Sequence, residues 1–143
     1  MIYPLGVKGN TIALLLYRKR SLEGYLDQEK VKELLKEFGY SCTSIKEILV
    51  TFRKHYQEYL QKKCPFPHEI GFLLGYPPED VEGFIRHQGK NSLCTGYWKV
   101  YADKEGKQRL FEKYEYAREN LIQLLHYGLK MTEIIDICGC TAA

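Results

Sequence analysis

Residues 67–81 read PHEIGFLLGYPPEDV, with a His-Glu pair, two glycines and a double proline in one short span. Three structures compete for this stretch: a metal or catalytic site, a DNA-reading helix-turn-helix, or a corner joining two core helices. His68-Glu69 opens like a zinc-protease motif, but Phe72 stands four residues on, where the second histidine would have to be. Without it a helix cannot present two imidazoles to one ion. A helix-turn-helix would aim the start of its second helix at DNA, and that start is Glu79, Asp80 and Glu82, which phosphates repel. The basic group, Arg86-His87-Gln88-Gly89-Lys90, falls at the far end, where it complements the helix C-terminus. Prolines that start helices and glycines that permit close approach suit a tight helix–helix corner. His68 is then a capped or core-edge histidine.

Upstream, Val7-Lys8-Gly9-Asn10-Thr11 separates two short apolar segments and carries the turn chemistry of a hairpin. Its second arm, residues 11–18, is apolar on both alternating faces: Ile12, Leu14 and Leu16 on one, Ala13, Leu15 and Tyr17 on the other. That pattern predicts a central strand covered on both sides. A helix is predicted from Asp27 to Phe38, with Val31, Leu34, Leu35 and Phe38 as its stripe and Gly39 to close it. Ser44-Ile45-Lys46-Glu47 is a capping box that opens the next helix, which Pro65 and Pro67 stop. Its stripe is Ile45, Ile48, Leu49, Phe52, Tyr56, Tyr59 and Leu60; Lys46, Arg53, Lys54, Lys62 and Lys63 form a solvated face opposite.

Downstream, residues 95–101 predict one β-strand, with Tyr97, Lys99 and Tyr101 on one face and Trp98 and Val100 on the other. Asp103 then caps a long helix whose stripe is Leu110, Tyr114, Ala117, Leu121, Leu124 and Leu125. Gly128 ends it, and Thr132 starts a short last helix through Ile134, Ile135 and Ile137.

At 143 residues, 45% hydrophobic and 27% charged, the chain has the makeup of one globular domain covering residues 1–143. A formal charge of +3 is too small a bias to imply nucleic-acid binding. The longest apolar run, residues 12–17, is far short of a membrane span. The start, Met1-Ile2-Tyr3-Pro4-Leu5-Gly6, lacks the pattern of a signal peptide. Cys42, Cys64, Cys94, Cys138 and Cys140 are odd in number and scattered, which suits reduced thiols in a cytoplasmic protein.

No pair of these cysteines has C-x-x-C spacing, so no metal site is expected. Glu79, Asp80 and Glu82 fall in the first turn of a helix, where they offset its dipole without any catalytic role. No phosphate-binding glycine loop is present. What remains is the polar loop Gly89-Lys90-Asn91-Ser92-Leu93-Cys94-Thr95-Gly96, which leads into Tyr97-Trp98-Lys99 and has the makings of a small anionic or flat-ligand site.

Several of these pieces together resemble a known family, the bacterial domain of unknown function 3793. Residues 66–81 carry most of the likeness, with Gly83-Phe84-Ile85, Gly89-Lys90-Asn91 and Gly96-Tyr97-Trp98-Lys99-Val100-Tyr101; residues 14–18 and 114–128 are also similar. The resemblance implies no established activity. It implies a source among anaerobic Gram-positive bacteria, with a hint of flavodoxin or iron-uptake gene neighbourhoods. Relatives usually carry a further segment before the hairpin, which this chain is expected to lack. Many also have a second cysteine just ahead of the position of Cys94, where Ser92 and Leu93 stand here. A metal or cluster held by such a pair is therefore not expected.

The sequence thus predicts an α+β fold, with a small two- or three-stranded, mostly antiparallel sheet covered by several helices. The expected role is a binding or accessory module for a partner protein or small ligand, with His68, Glu69, Arg86, Lys90, Tyr97 and Trp98 as its patch. The alternative is a redox or iron-linked protein or small enzyme that uses Cys94 as a reactive thiol with His68 or His87. A sheet short of strands also admits completion across a homodimer. The sequence names no cofactor.

Overall fold

The computed structural model describes residues 1–41 and 44–139. Its class is α+β: seven helices and two separate two-stranded antiparallel sheets among the described residues. The first sheet is a hairpin of β1 (Ile2–Lys8) and β2 (Thr11–Leu16), joined through Gly9-Asn10. Ile2 pairs with Leu16, Pro4 with Leu14 and Val7 with Ile12, with a register shift between Pro4 and Gly6. The inner face buries Leu5 and Leu15, while Ile12, Leu14 and Leu16 are exposed. This corrects the expectation of a central strand. Among the described residues the hairpin pairs with no third strand, and α3 (Ile45–Leu60) packs on its β1 side.

A helix absent from the sequence reading, α1 (Lys19–Leu26), follows β2 and buries only Leu22 and Leu26. Its N-cap is Arg18, which makes no side-chain cap bond, so no start signal marks it. The helix predicted from Asp27 begins later, as α2 (Glu29–Glu37), because the Asp27 and Gln28 backbone N–H groups still close α1, donating to the Glu23 and Tyr25 carbonyls. Val31, Leu34 and Leu35 are its buried stripe, as the spacing predicts. In α3 the Ser44 hydroxyl accepts from the Glu47 N–H at 3.3 Å and donates to the Glu47 carboxylate at 2.6 Å, so the two residues of the predicted capping box engage each other. The helix stops at Leu60, before either proline, because Lys62 adopts a left-handed φ of 60°. Phe52 on α3 is fully buried.

The stretch 67–81 forms the corner. The short α4 (Ile70–Leu73) ends at Leu74, and Gly75 turns the chain with φ 72°. That left-handed conformation carries a steric cost for any residue with a Cβ. Then α5 (Pro78–Arg86) starts with proline in its first turn. Gly71, Phe72, Leu73, Asp80 and Val81 are buried where the two helices meet. The main core draws on β1, β2 and α1 to α5.

The single strand expected over residues 95–101 is instead a second hairpin, β3 (Cys94–Thr95) with β4 (Lys99–Val100). The chain reverses at Gly96, whose N–H donates to the Trp98 carbonyl at 3.0 Å. Tyr97 and Trp98 therefore sit in a turn rather than on alternating faces. A Cβ on Gly96 would lie 2.3 Å from the Phe111 ring, so the turn can approach the next helix only as glycine. That helix, α6 (Lys104–His126), is capped by Asp103, whose carboxylate accepts from the Gly106 N–H at 3.1 Å. Its predicted core stripe is not one: none of its residues is buried, and Tyr114 and Leu125 are exposed. The last helix, α7 (Met131–Gly139), packs against α6 and buries Ile134, while Ile135 and Ile137 stay exposed.

Candidate functional site

The site is built where α5 meets the second hairpin, and its anchor is Asp80. Asp80 lies in the first turn of α5, as a dipole-compensating acid would, but it is 2% exposed. A buried carboxylate must find donors. This one accepts from the Tyr101 N–H at 2.7 Å, the Ala102 N–H at 3.2 Å and the Trp98 indole N–H at 2.8 Å. One side chain thus pins both the strand exit and the turn that carries the tryptophan.

Around that anchor the rings assemble in pairs. Tyr76, at the corner, stacks on Trp98 with centroids 4.9 Å apart and planes 26° apart. His68 and Phe84 form a second pair at 4.9 Å. The Tyr76 carbonyl is in turn held by the Tyr25 hydroxyl from α1. Burial, and then the charge of Glu79, hold the Tyr25 phenol above its ordinary value, so it remains a donor. Both aromatic pairs line one cavity of about 310 Å³, together with Gly71, Asp80, Val81, Gly96 and Lys99. The Lys99 ammonium donates to the Gly89 carbonyl at 2.5 Å and has no carboxylate partner among the described residues. Phe111 meets Trp98 edge-on at 4.7 Å from α6. The result is a mainly aromatic recess with one cation at its lining, a makeup suited to flat rings.

The structure divides the residues that the sequence singled out. His68, Tyr97 and Trp98 line the cavity. Tyr97 is half exposed, and its hydroxyl donates to Glu115 at 2.9 Å. Glu69 does not line it: it is buried elsewhere, 2.9 Å from His55 Nδ1 and 3.3 Å from the Tyr40 hydroxyl. Burial, and then the Glu69 charge, raise the Tyr40 phenol above its ordinary value. Arg86 is exposed and pairs with Glu82 at 2.7 Å, one helical turn away. Lys90 is exposed and does not line the recess. Cys94 is half buried on β3, and His87 stacks on Tyr101 at 5.6 Å. Cys42 and Cys140 lie outside the described residues, and the Cys138 thiol lies outside the described side chains. No group of three or more His, Cys, Asp or Glu side chains is arranged to hold a metal ion among the described residues.

Sequence reasoning missed Asp80, Tyr76, Phe84 and Lys99 as a set. The available signal was an acid in the first turn of a helix that also carries an apolar face, but only tertiary packing says which acid turns inward. Tyr101 adds a testable detail. Its hydroxyl is buried without a hydrogen-bond partner among the described residues. Burial, and then Asp80, raise this phenol above its ordinary value. Because an orphaned hydroxyl carries its full desolvation cost, Tyr101→Phe is expected to leave stability unchanged or raise it by about 1 kcal/mol. Urea unfolding checks this, and a clear loss would mean that the hydroxyl has a partner.

The architecture defines a small α+β protein with an aromatic recess at a helix corner, and among the described residues no helix is long and apolar enough to cross a membrane. Residues 1–135 match the family described as protein of unknown function (DUF3793), and the chain belongs to that family. Comparison with curated proteins and with solved structures finds no match.

Proposed function

We propose that this chain is a single-domain, cytoplasmic binding or accessory module whose recess takes a flat ring, either from a small ligand or from a partner protein. The carrying observation is the placement of two ring pairs, Tyr76 with Trp98 and His68 with Phe84, on one cavity of about 310 Å³. That volume sits at the small end of ligand sites, which suits one or two fused rings. Ring–ring contacts add about 0.5–1.5 kcal/mol each beyond area burial, so paired walls favour planar occupants over aliphatic ones. Lys99 at the lining favours an occupant with an electron-rich or anionic edge.

Trp98 is the only tryptophan in the chain, so its emission reports on this recess alone. Titration with adenine, indole and nicotinamide as probes is expected to give a saturable emission change with at least one of them. Phe84→Ala should weaken that binding about tenfold. Linear, non-saturating quenching, identical in the wild type and Phe84→Ala, would remove the proposal.

A further inference from the structure

The hairpin of β1 and β2 presents an outer face that nothing in the described chain covers. Ile2, Val7, Ile12, Leu14 and Leu16 are between 52% and 70% exposed, and Pro4 is exposed among them. They are not scattered. The pairs Ile2–Leu16, Pro4–Leu14 and Val7–Ile12 lie directly opposite one another across the ladder, so the six make one continuous patch. None of the six is polar. Together they expose on the order of 700 Å², more than the largest apolar patch of a typical monomer. Water contact over that area is costly, and a two-stranded hairpin is marginal by itself.

We propose that the occupant of this face is the same face of a second copy of the chain. Two observations select a second copy over an unrelated protein. The area matches the roughly 800 Å² that each partner buries in a standard interface. The face also carries no charge to address a particular foreign partner, whereas rows of apolar cross-strand pairs are self-complementary under a two-fold axis. Packed face to face at about 10 Å, the two hairpins form a four-stranded sandwich, with α3 of each copy on the outside. Each copy of β2 is then covered on both faces, which accounts for apolar residues at both its even and odd positions. Another exposed apolar group, Ile135 and Ile137 on α7, is set among Glu133 and Asp136 and is less suited to self-association.

The test is sedimentation equilibrium of the full chain at micromolar concentrations. The wild type is expected to dimerise. Leu14→Thr combined with Leu16→Thr introduces β-branched, strand-favouring residues while removing apolar area. It should weaken the dimer about a hundredfold while far-ultraviolet circular dichroism stays unchanged. Ile135→Thr with Ile137→Thr, the control on α7, should leave the dimer intact. A monomeric wild type, a dimer indifferent to the hairpin variant, or a dimer lost only in the α7 control would each overturn the proposal. If the hairpin variant fails to fold, hydrogen exchange of the wild type decides: the β1 and β2 amides should gain protection with concentration, and constant protection would overturn it.

Discussion

Asp80→Ala is expected to lower unfolding free energy by about 3–5 kcal/mol and to shift Trp98 emission to longer wavelength. The size follows from the number of donors left behind. Asp80 satisfies two backbone N–H groups and the indole N–H, all converging on one carboxylate that is 2% exposed. A buried donor without a partner costs about 1–3 kcal/mol, and bonds to a charged acceptor stand at the upper end. The costs do not add fully, because the hairpin of β3 and β4 can relax toward water once released. That relaxation carries Trp98 with it, which is why emission and stability should move together. Asp80→Asn retains one acceptor but turns an amide NH₂ toward the same donors, so a smaller loss of about 1–3 kcal/mol is expected. Urea unfolding followed at Trp98 measures both quantities. A loss below about 1 kcal/mol for Asp80→Ala would contradict the anchoring role of this carboxylate.

Phe72→Ala is expected to cost a comparable 3–5 kcal/mol, for a different reason. Phe72 is 0% exposed and its ring lies 6.3 Å from that of Phe38 at the end of α2. It belongs to a helix of only four residues, which has no hydrogen-bonding cooperativity of its own and is held in place by packing. Truncation leaves a cavity that the short helix cannot fill without losing Gly71 from the recess wall. Phe52→Ala provides the contrast: it empties an equally buried position on the sixteen-residue α3, which keeps its own backbone ladder. Both variants should lose stability, but only Phe72→Ala should change the emission of Trp98 in the folded state. Equal emission in the two would show that the corner does not support the recess.

Local chemistry in the sequence was readable where a single motif dictates structure. Ser44 with Glu47 and Asp103 with Gly106 are caps whose bonds span three residues, and both formed as read. The prolines and Gly75 mark the corner for the same reason. What failed depended on distant partners. Thr95, Tyr97, Trp98 and Val100 are strand-favouring types, and the fit of Gly96 against Phe111 accounts for the reversal among them. β2 has apolar residues on both faces, yet periodicity cannot say whether the second face is covered within one chain. Asp80 and Glu79 are adjacent acids with identical local reasons to exist. One turns inward to three donors, while the other meets Lys107 at 2.9 Å. The recess therefore came through as its rim residues His68, Tyr97 and Trp98, without the carboxylate beneath them.

The long helix α6 has a mechanical consequence. At 23 residues it is about 35 Å long, and among the described residues its hydrogen bonds and ring contacts to the core side, through Lys107, Phe111, Tyr114 and Glu115, come from its first twelve positions. Beyond them it is a cantilever steadied by α7. Its free half can fray and re-form while the core and the recess stay intact. Total helicity and integrity of the binding recess are therefore separable quantities in this molecule, and the first can fall well before the second.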